Sequence, residues 1–392
     1  MPEVIAQSSI IQSMQSKSSV EIVDATVRRI LVYRIGSIGD TVIALPALWE
    51  IRRRFPNAHI ALLSNAPENK NYASARSVLP EEGLIDQWLT YPTRDGRTKA
   101  SRSMWQLLLE LRRQHFDSLV YLAPRGRKRI DVWRDLLFYY VAGMHRVFGH
   151  KGVDRLPERD FGRPQPTMEH EADHLLRRLE LSNIPVTPLS DRTMDLAITA
   201  SESEYVREWL AAQLGTGFDV GNLIGIGAGS NWGSKTWPEE RYAELGQRLI
   251  HELDVFPIML GGPNDIERNE RLIALWGRGV NAAGQLTVRQ TAAALAKCRL
   301  YVGNDTGTMH MAAAVGTSCV VAFSAQDLPG RWYPYGKGHI VLRHAVPCAG
   351  CMLRECDRDL QCLTLIEVED VLEACRKVLG TRSDVAVQTS ET

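Results

Sequence analysis

Residues 299–324, reading RLYVGNDTGTMHMAAAVGTSCVVAFS, leave this chain few folds to choose from. Leu300 to Val302 is an apolar strand, Gly303-Asn304-Asp305-Thr306-Gly307-Thr308 a turn, Met309 to Val315 a short helix, and Ser318 to Phe323 a second strand. The turn opens directly into the helix, so backbone N–H groups and a helix N-terminus converge where a phosphate would fit. A plain structural role suits the same residues, because Asp305, Thr306 and Thr308 are all good N-caps. The rest of the chain has to separate the two readings.

At 392 residues with 44% hydrophobic content, the chain is long enough to bury more than one core, and two domains are expected. Residues 1–27 are Ser- and Gln-rich, without the basic and apolar regions of a signal peptide, and read as a disordered, mobile arm. Order is expected from Arg28. Arg29 to Arg34 and His59 to Leu63 read as strands flanking a helix from Thr41 to Phe55, with Pro46 set to kink it or limit its first turn. Trp105 to His115 reads as a helix, Ser118 to Leu122 as a strand, residues 131–148 as helical and Lys151 to Thr167 as loop. The Pro-rich stretch Ile184 to Leu189 marks the boundary, and Ser201 to Leu214 is a helix suited to bridging the domains.

From Leu223 the pattern restarts: a strand to Ile226, a Gly-rich loop to Lys235, a helix over Pro238 to Glu252, a strand over Phe256 to Leu260, a Gly261-Gly262-Pro263-Asn264-Asp265 loop and a helix to Trp276. Strands alternating with amphipathic helices imply an α/β protein with parallel sheets covered on both faces. The expected units are 28–195, 196–365, a terminal helix over 366–380 and a disordered tail over 381–392.

Ligands of such sheets lie at the strand C-termini. Gly36-Ser37-Ile38-Gly39-Asp40 follows the first strand, yet it is not the G-x-G-x-x-G dinucleotide fingerprint, and the second strand ends in Ser64-Asn65 rather than an acid, which disfavours a nicotinamide enzyme. Its glycines allow close approach of a ligand, and Asp40 stands at a helix N-terminus as a candidate general base or an ordinary N-cap. Arg125, Arg127, Lys128 and Arg129 follow the strand at 118–122 and suit either an acidic or phosphorylated partner or a solvated loop. The first half does hold the positive excess, with 28 Lys and Arg against 23 Asp and Glu over residues 1–195. In the second half, GAGSNWGSKTW from Gly227 to Trp237 offers Ser230 and Lys235 to a diphosphate without the Walker A spacing of a P-loop kinase.

Taken together, the G-x-x-G-D start, the loop with Lys235-x-Trp237-Pro238, the Gly261-Gly262-Pro263 turn and Asp305-Thr306-Gly307-x-x-His310 resemble glycosyltransferase family 9, the ADP-heptose:lipopolysaccharide heptosyltransferases and relatives. The resemblance runs from Arg28 to about Leu379. It implies a GT-B fold, two Rossmann-like domains facing across a cleft, with 28–195 binding acceptor, 196–365 binding the nucleotide sugar, and the terminal helix packing back on the first domain. It further implies an inverting, metal-independent transfer with no required cofactor, from a nucleotide-sugar donor of the ADP-heptose type to a lipopolysaccharide-type or other saccharide or glycolipid acceptor.

By position, the resemblance makes Asp40 the catalytic base. Lys235, Thr306 and Gly307 would neutralise the departing diphosphate, and Asp305 and His310 would contact donor sugar or phosphates. Ser230 and Asp265 join the donor site, with Glu267 as the other acid near the Gly-Gly-Pro turn; Gly36, Gly39, Arg125, Arg127 and Lys128 fall to the acceptor. The implied setting is cytoplasmic, with peripheral contact at the inner membrane face and no nucleic-acid partner. Two other classes compete with this reading: a GT-B nucleotide-sugar epimerase-like enzyme, and a non-catalytic nucleotide- or glycan-binding protein with a zinc-stabilised loop.

That loop is Cys348-x-x-Cys351-x4-Cys356-x5-Cys362, four thiols with a C-x-x-C start. Tetrahedral structural zinc, reduced thiols and a labile disulfide are all open to it. Cys298, Cys319 and Cys375 read as small core residues.

Overall fold

A computed structural model describes residues 27–65, 73–91, 97–158, 163–192, 194–215 and 220–388, the side chains of 97–102, 220 and 381–388 apart. Residues 1–26 of the expected arm and 389–392 of the expected tail lie outside the described residues. Val27, assigned by sequence to the arm, is buried in the first core.

Near-continuous apolar runs build two parallel sheets. The first holds β1 (Arg29–Tyr33), β2 (His59–Asn65), β3 (Gln87–Tyr91), β4 (Ser118–Tyr121) and β5 (Arg146–Phe148), in the order β3-β2-β1-β4-β5. The second holds β6 (Leu223–Gly227), β7 (Phe256–Met259), β8 (Val280–Asn281), β9 (Leu300–Asn304), β10 (Cys319–Ala322) and β11 (Ile340–Leu342), in the order β11-β10-β9-β6-β7-β8. Strands such as β4, β6 and β9 are buried along their whole length because helices cover both faces.

The helices of the first half are α1 (Ile38–Ile43), α2 (Leu45–Arg54), α3 (Arg97–Gln114), α4 (Arg129–Val141) and α5 (Glu171–Glu180). Those after the boundary are α6 (Ala200–Leu214), α7 (Glu239–Leu253), α8 (Ile266–Trp276), α9 (Val288–Leu295), α10 (Gly307–Ala314), α11 (Gln361–Thr364) and α12 (Val368–Gln388). The single helix expected after β1 is two: α1 stops at Ala44, and α2 restarts with Pro46 in its first turn, where a missing N–H loses nothing.

Residues 131–148 are not one helix either. α4 ends at Val141, Gly143 turns the chain at φ +104°, and β5 follows as a short edge strand. Edge strands of three residues carry too little alternation to be read from sequence. The terminal helix departs further from expectation. It runs past Gly380 to Gln388, and of its described side chains Val371, Leu372, Cys375 and Val378 pack with Leu245 and Leu249 of α7 over the second sheet.

Contacts between the halves come from elsewhere. α6 lies on α9, and Arg289 of α9, buried, donates to the carbonyls of Val78 and Leu196 at 3.1 and 3.0 Å and pairs with Glu202. The segment after β10 clamps α5: Met168 N–H donates to Pro329 O at 2.8 Å, Glu171 N–H to Arg331 O at 3.0 Å, and Tyr335 O–H to Asp173 at 2.8 Å. α1 meets α10 directly.

Candidate functional site

Each sheet reverses its strand order once, between β1 and β4 in the first and between β6 and β9 in the second. Crevices open at such switch points. The four loops that leave these strands are the ones carrying Asp40, Arg125 to Arg129, Ser230 to Lys235, and Asp305 to Gly307. Two glycines let the domains touch here: a Cβ on Gly39 would lie 2.8 Å from the His310 ring, and one on Gly307 would lie 3.3 Å from Ile38.

Asp40 is fixed before any substrate arrives. Its Oδ2 accepts from Ser37 N–H and Ser37 O–H, both at 2.8 Å, closing a capping box on α1. Its Oδ1 lies 3.5 Å from the buried Arg34 guanidinium, which also donates to Asp40 O at 2.8 Å and Leu122 O at 3.0 Å. Gly36, at φ +144°, donates its N–H to Asn65 Oδ1 at 2.8 Å, and a Cβ there would collide with Asp40 at 2.4 Å. Three neighbouring strands thus hold one partly exposed carboxylate in one orientation.

Across the contact, Lys235 Nζ is 2.6 Å from Asp305 Oδ2, and His310 Nε2 is 4.0 Å from Asp305 Oδ1. Thr306 takes the N-cap position of α10 without a side-chain cap bond, which leaves the first amides of that helix without a side-chain acceptor; its hydroxyl bonds Thr308 at 2.8 Å instead. Burial lowers the His310 imidazole to about 3, helped by His170 and Lys235 and opposed by Asp40, so it is neutral at physiological pH. Its Nδ1 is buried with no partner among the described residues.

Asp265, not Glu267, faces the Gly-rich loop after β6. It accepts from Gly262 N–H at 2.9 Å, pairs with Arg268 at 2.9 Å, and would be struck at 1.8 Å by a Cβ on Gly229, while Glu267 points to solvent. Ser230, half-buried, accepts from Trp232 N–H at 3.2 Å.

The basic loop divides. Arg125 is buried against Glu171 and Glu169, each at 3.4 Å, and Arg127 pairs with Asp135, which also accepts from Tyr121 O–H at 2.8 Å. Only Lys128 and Arg129 stay exposed. The expectation of a free basic cluster is therefore corrected, because carboxylates distant in sequence claim its two arginines.

No group of three or more His, Cys, Asp or Glu among the described residues is placed to hold a metal ion, so the zinc reading of Cys348, Cys351, Cys356 and Cys362 does not fit the arrangement. Cys362 is drawn into the core 3.6 Å from Ser324 Oγ, whereas the other three line the same small cavity from its half-exposed side. None of the seven cysteines is in a disulfide. The loop packs instead on the Ser230–Lys235 loop: Ser234 donates to Arg354 O at 3.0 Å and to Leu353 O at 2.6 Å, and Arg354 and Lys235 both lie 5.3 Å from the Trp232 ring.

Sequence reasoning missed Asn304 and Arg34. Asn304, fully buried, accepts from Trp237 N–H at 3.1 Å and Tyr242 O–H at 3.0 Å and donates to Ala228 O at 3.0 Å, which ties the two second-domain loops together. A polar residue ending a buried strand was its one available signal.

The model of glycosyltransferase family 9 (heptosyltransferase) matches residues 187–361. Lipooligosaccharide heptosyltransferase 2 of Haemophilus ducreyi is 32% identical over 333 residues, 80% of this chain and 88% of that protein. Lipopolysaccharide heptosyltransferase 2 of Salmonella typhimurium is 38% identical over 109 residues, a match spanning 26% of this chain and only 30% of that relative. The solved Escherichia coli ADP-heptose LPS heptosyltransferase II superposes with a TM-score of 0.64 at 19% identity, over 91% of this chain and 99% of that one. Two parallel Rossmann-like sheets arranged in this way make the GT-B fold.

Proposed function

We propose, from the premise that the chain belongs to glycosyltransferase family 9, that it transfers a heptosyl group from ADP-heptose to a hydroxyl of a lipopolysaccharide-type saccharide acceptor, inverting the anomeric carbon in one displacement. The observation that carries this reading is the pairing across the domain contact of a pre-oriented carboxylate, Asp40, with the Lys235, Asp305 and His310 group. A single displacement needs a base on the acceptor side and charge neutralisation on the leaving-group side, and no covalent nucleophile.

Asp40 takes the acceptor proton as the hydroxyl oxygen attacks. Lys235 and the uncapped amides of α10 then offset the charge of the departing diphosphate without calling on a metal. Before donor binds, Asp305 balances Lys235; the neutral His310 imidazole offers a hydrogen bond rather than a charge. Ser230 and Asp265 border the nucleotide side, and Gly36, Gly39 and Lys128 the acceptor side. The relatives' names support heptose and ADP as donor components.

Calorimetry with ADP, GDP, UDP and NAD tests the reading. ADP is expected to bind selectively, and Lys235→Ala to weaken it at least ~10-fold, the scale of a lost charge-assisted hydrogen bond. Preference for UDP or GDP would replace the donor; NAD binding, or no nucleotide binding, would overturn the proposal.

A further inference from the structure

Exposed apolar side chains are concentrated on two neighbouring helices. Of thirteen large ones exposed among the described residues, seven stand on two helices in contact: Trp105 and Leu109 on α3, and Ile130, Trp133, Leu137, Tyr140 and Val141 on α4. On α4 their spacing makes a single stripe along the helix. The opposite side of α4 buries Asp135 and Tyr139, so the stripe is a second apolar face and not the core-facing one. Ile130 and Trp133 are each 72% exposed. A patch of this kind marks an interaction surface.

Charge identifies the partner. Residues 97–146 hold eleven Lys and Arg against four Asp and Glu in a chain whose net charge is zero. Lys128 and Arg129, at the start of α4, and Arg134 within it are exposed, Arg134 being paired with Asp131 and Asp135 of the same helix. Tryptophan, tyrosine and aliphatic side chains rimmed by basic residues match the headgroup boundary of an anionic bilayer. A second copy of the chain fits poorly, because it would bring the same positive excess against itself.

We propose that the α3–α4 face seats the protein on an anionic lipid bilayer, with Trp105, Trp133 and Leu137 entering the headgroup–acyl boundary and the flanking Lys and Arg lying against lipid phosphates. α4 starts at the C-terminal edge of the first sheet, the edge from which the Asp40 loop also leaves. An acceptor anchored in the same bilayer would then meet the enzyme at the acceptor side of its cleft. That consequence rests on the glycolipid-acceptor reading, whereas the docking itself does not. No described helix is long and apolar enough to cross a membrane.

Co-sedimentation of the full chain with vesicles of phosphatidylcholine, with and without phosphatidylglycerol, tests the proposal. Binding is expected to the anionic vesicles, to weaken in high salt, and to fall at least ~10-fold in the double variant Trp133→Ser, Leu137→Ser. Both positions are exposed, and the variant's ADP affinity should match the wild type. Wild-type protein that stays in the supernatant, or a double variant that pellets equally well, would overturn the proposal. So would light scattering that shows a wild-type dimer, made monomeric by the variant, in protein that ignores vesicles. If vesicle binding behaves as expected while ADP binding fails, the transfer reading falls and the docking surface stands.

Discussion

The carboxylate that closes the capping box of its own helix is, at Asp40, also the proposed base. Oδ2 closes the Ser37 capping box and Oδ1 faces Arg34, so removing the side chain disturbs local structure as well as chemistry. Loss of an N-terminal cap costs about 1 kcal/mol. Asp40→Asn keeps an acceptor for the cap and removes the base. Transfer should fall at least ~10²-fold with ADP affinity and thermal midpoint near wild type. Retained turnover would take Asp40 out of the mechanism. Asp40 and Lys235 could be read from sequence because both sit in strand-to-helix loops with local signals, Gly-rich spacing and a helix start. Arg125 and Arg127 misled, since nothing local announces that Glu171, Glu169 and Asp135 fold against them.

At the scale of elements, close approach between helices decides what glycine does. Gly246 lies inside α7, where propensity alone makes Gly246→Ala stabilising by about 1 kcal/mol. Packing says otherwise: the new Cβ would sit 2.1 Å from the ring of Trp276 on α8, and that ring is pinned by its Nε1–H donating to Ala243 O at 2.9 Å. Overpacking of this kind costs about 1–3 kcal/mol, so urea denaturation should find the variant less stable than wild type. Greater stability would mean that α8 shifts freely over α7. The same geometry at Gly39, against His310, joins α1 of one domain to α10 of the other.

Over the whole molecule, buried ionic groups bind the halves together and set the response to acid. Glu171, fully buried, pairs with Arg331 of the clamp at 3.2 Å. Burial would raise its carboxyl, but Arg331, then Arg34 and Arg125, outweigh it and hold the group at about 2, against an ordinary 4.5. As pH falls, the unfolded chain therefore takes up this proton first, and the stabilisation, complete above 4.5, is lost between 4.5 and about 2. His310 and His174, lowered chiefly by burial from 6.5 to about 3, act with the same sign from pH 6.5 downward. Denaturation midpoints should fall from pH 7 to pH 4. Glu171→Gln should be destabilised by about 3 kcal/mol at neutral pH, and its gap from wild type should close as the pH drops below 4.5. A gap independent of pH would rule out this assignment.

The sequence by itself determined the repeated parallel α/β architecture and the strand-to-helix loops that hold Asp40, Lys235 and Asp305, because apolar period, glycine spacing and helix starts are properties of neighbouring residues. Short edge strands such as β5 escaped it, having too few residues to show a period. Tertiary structure alone decided that the apolar face of α12 finds α7, and that Cys362 is buried beside Ser324 while the other three thiols lining the same cavity are half-exposed. It also decided which arginines are buried and which apolar side chains remain in water on α3 and α4. Those outcomes depend on partners far along the chain, and an amphipathic pattern says that a face is apolar without saying what covers it.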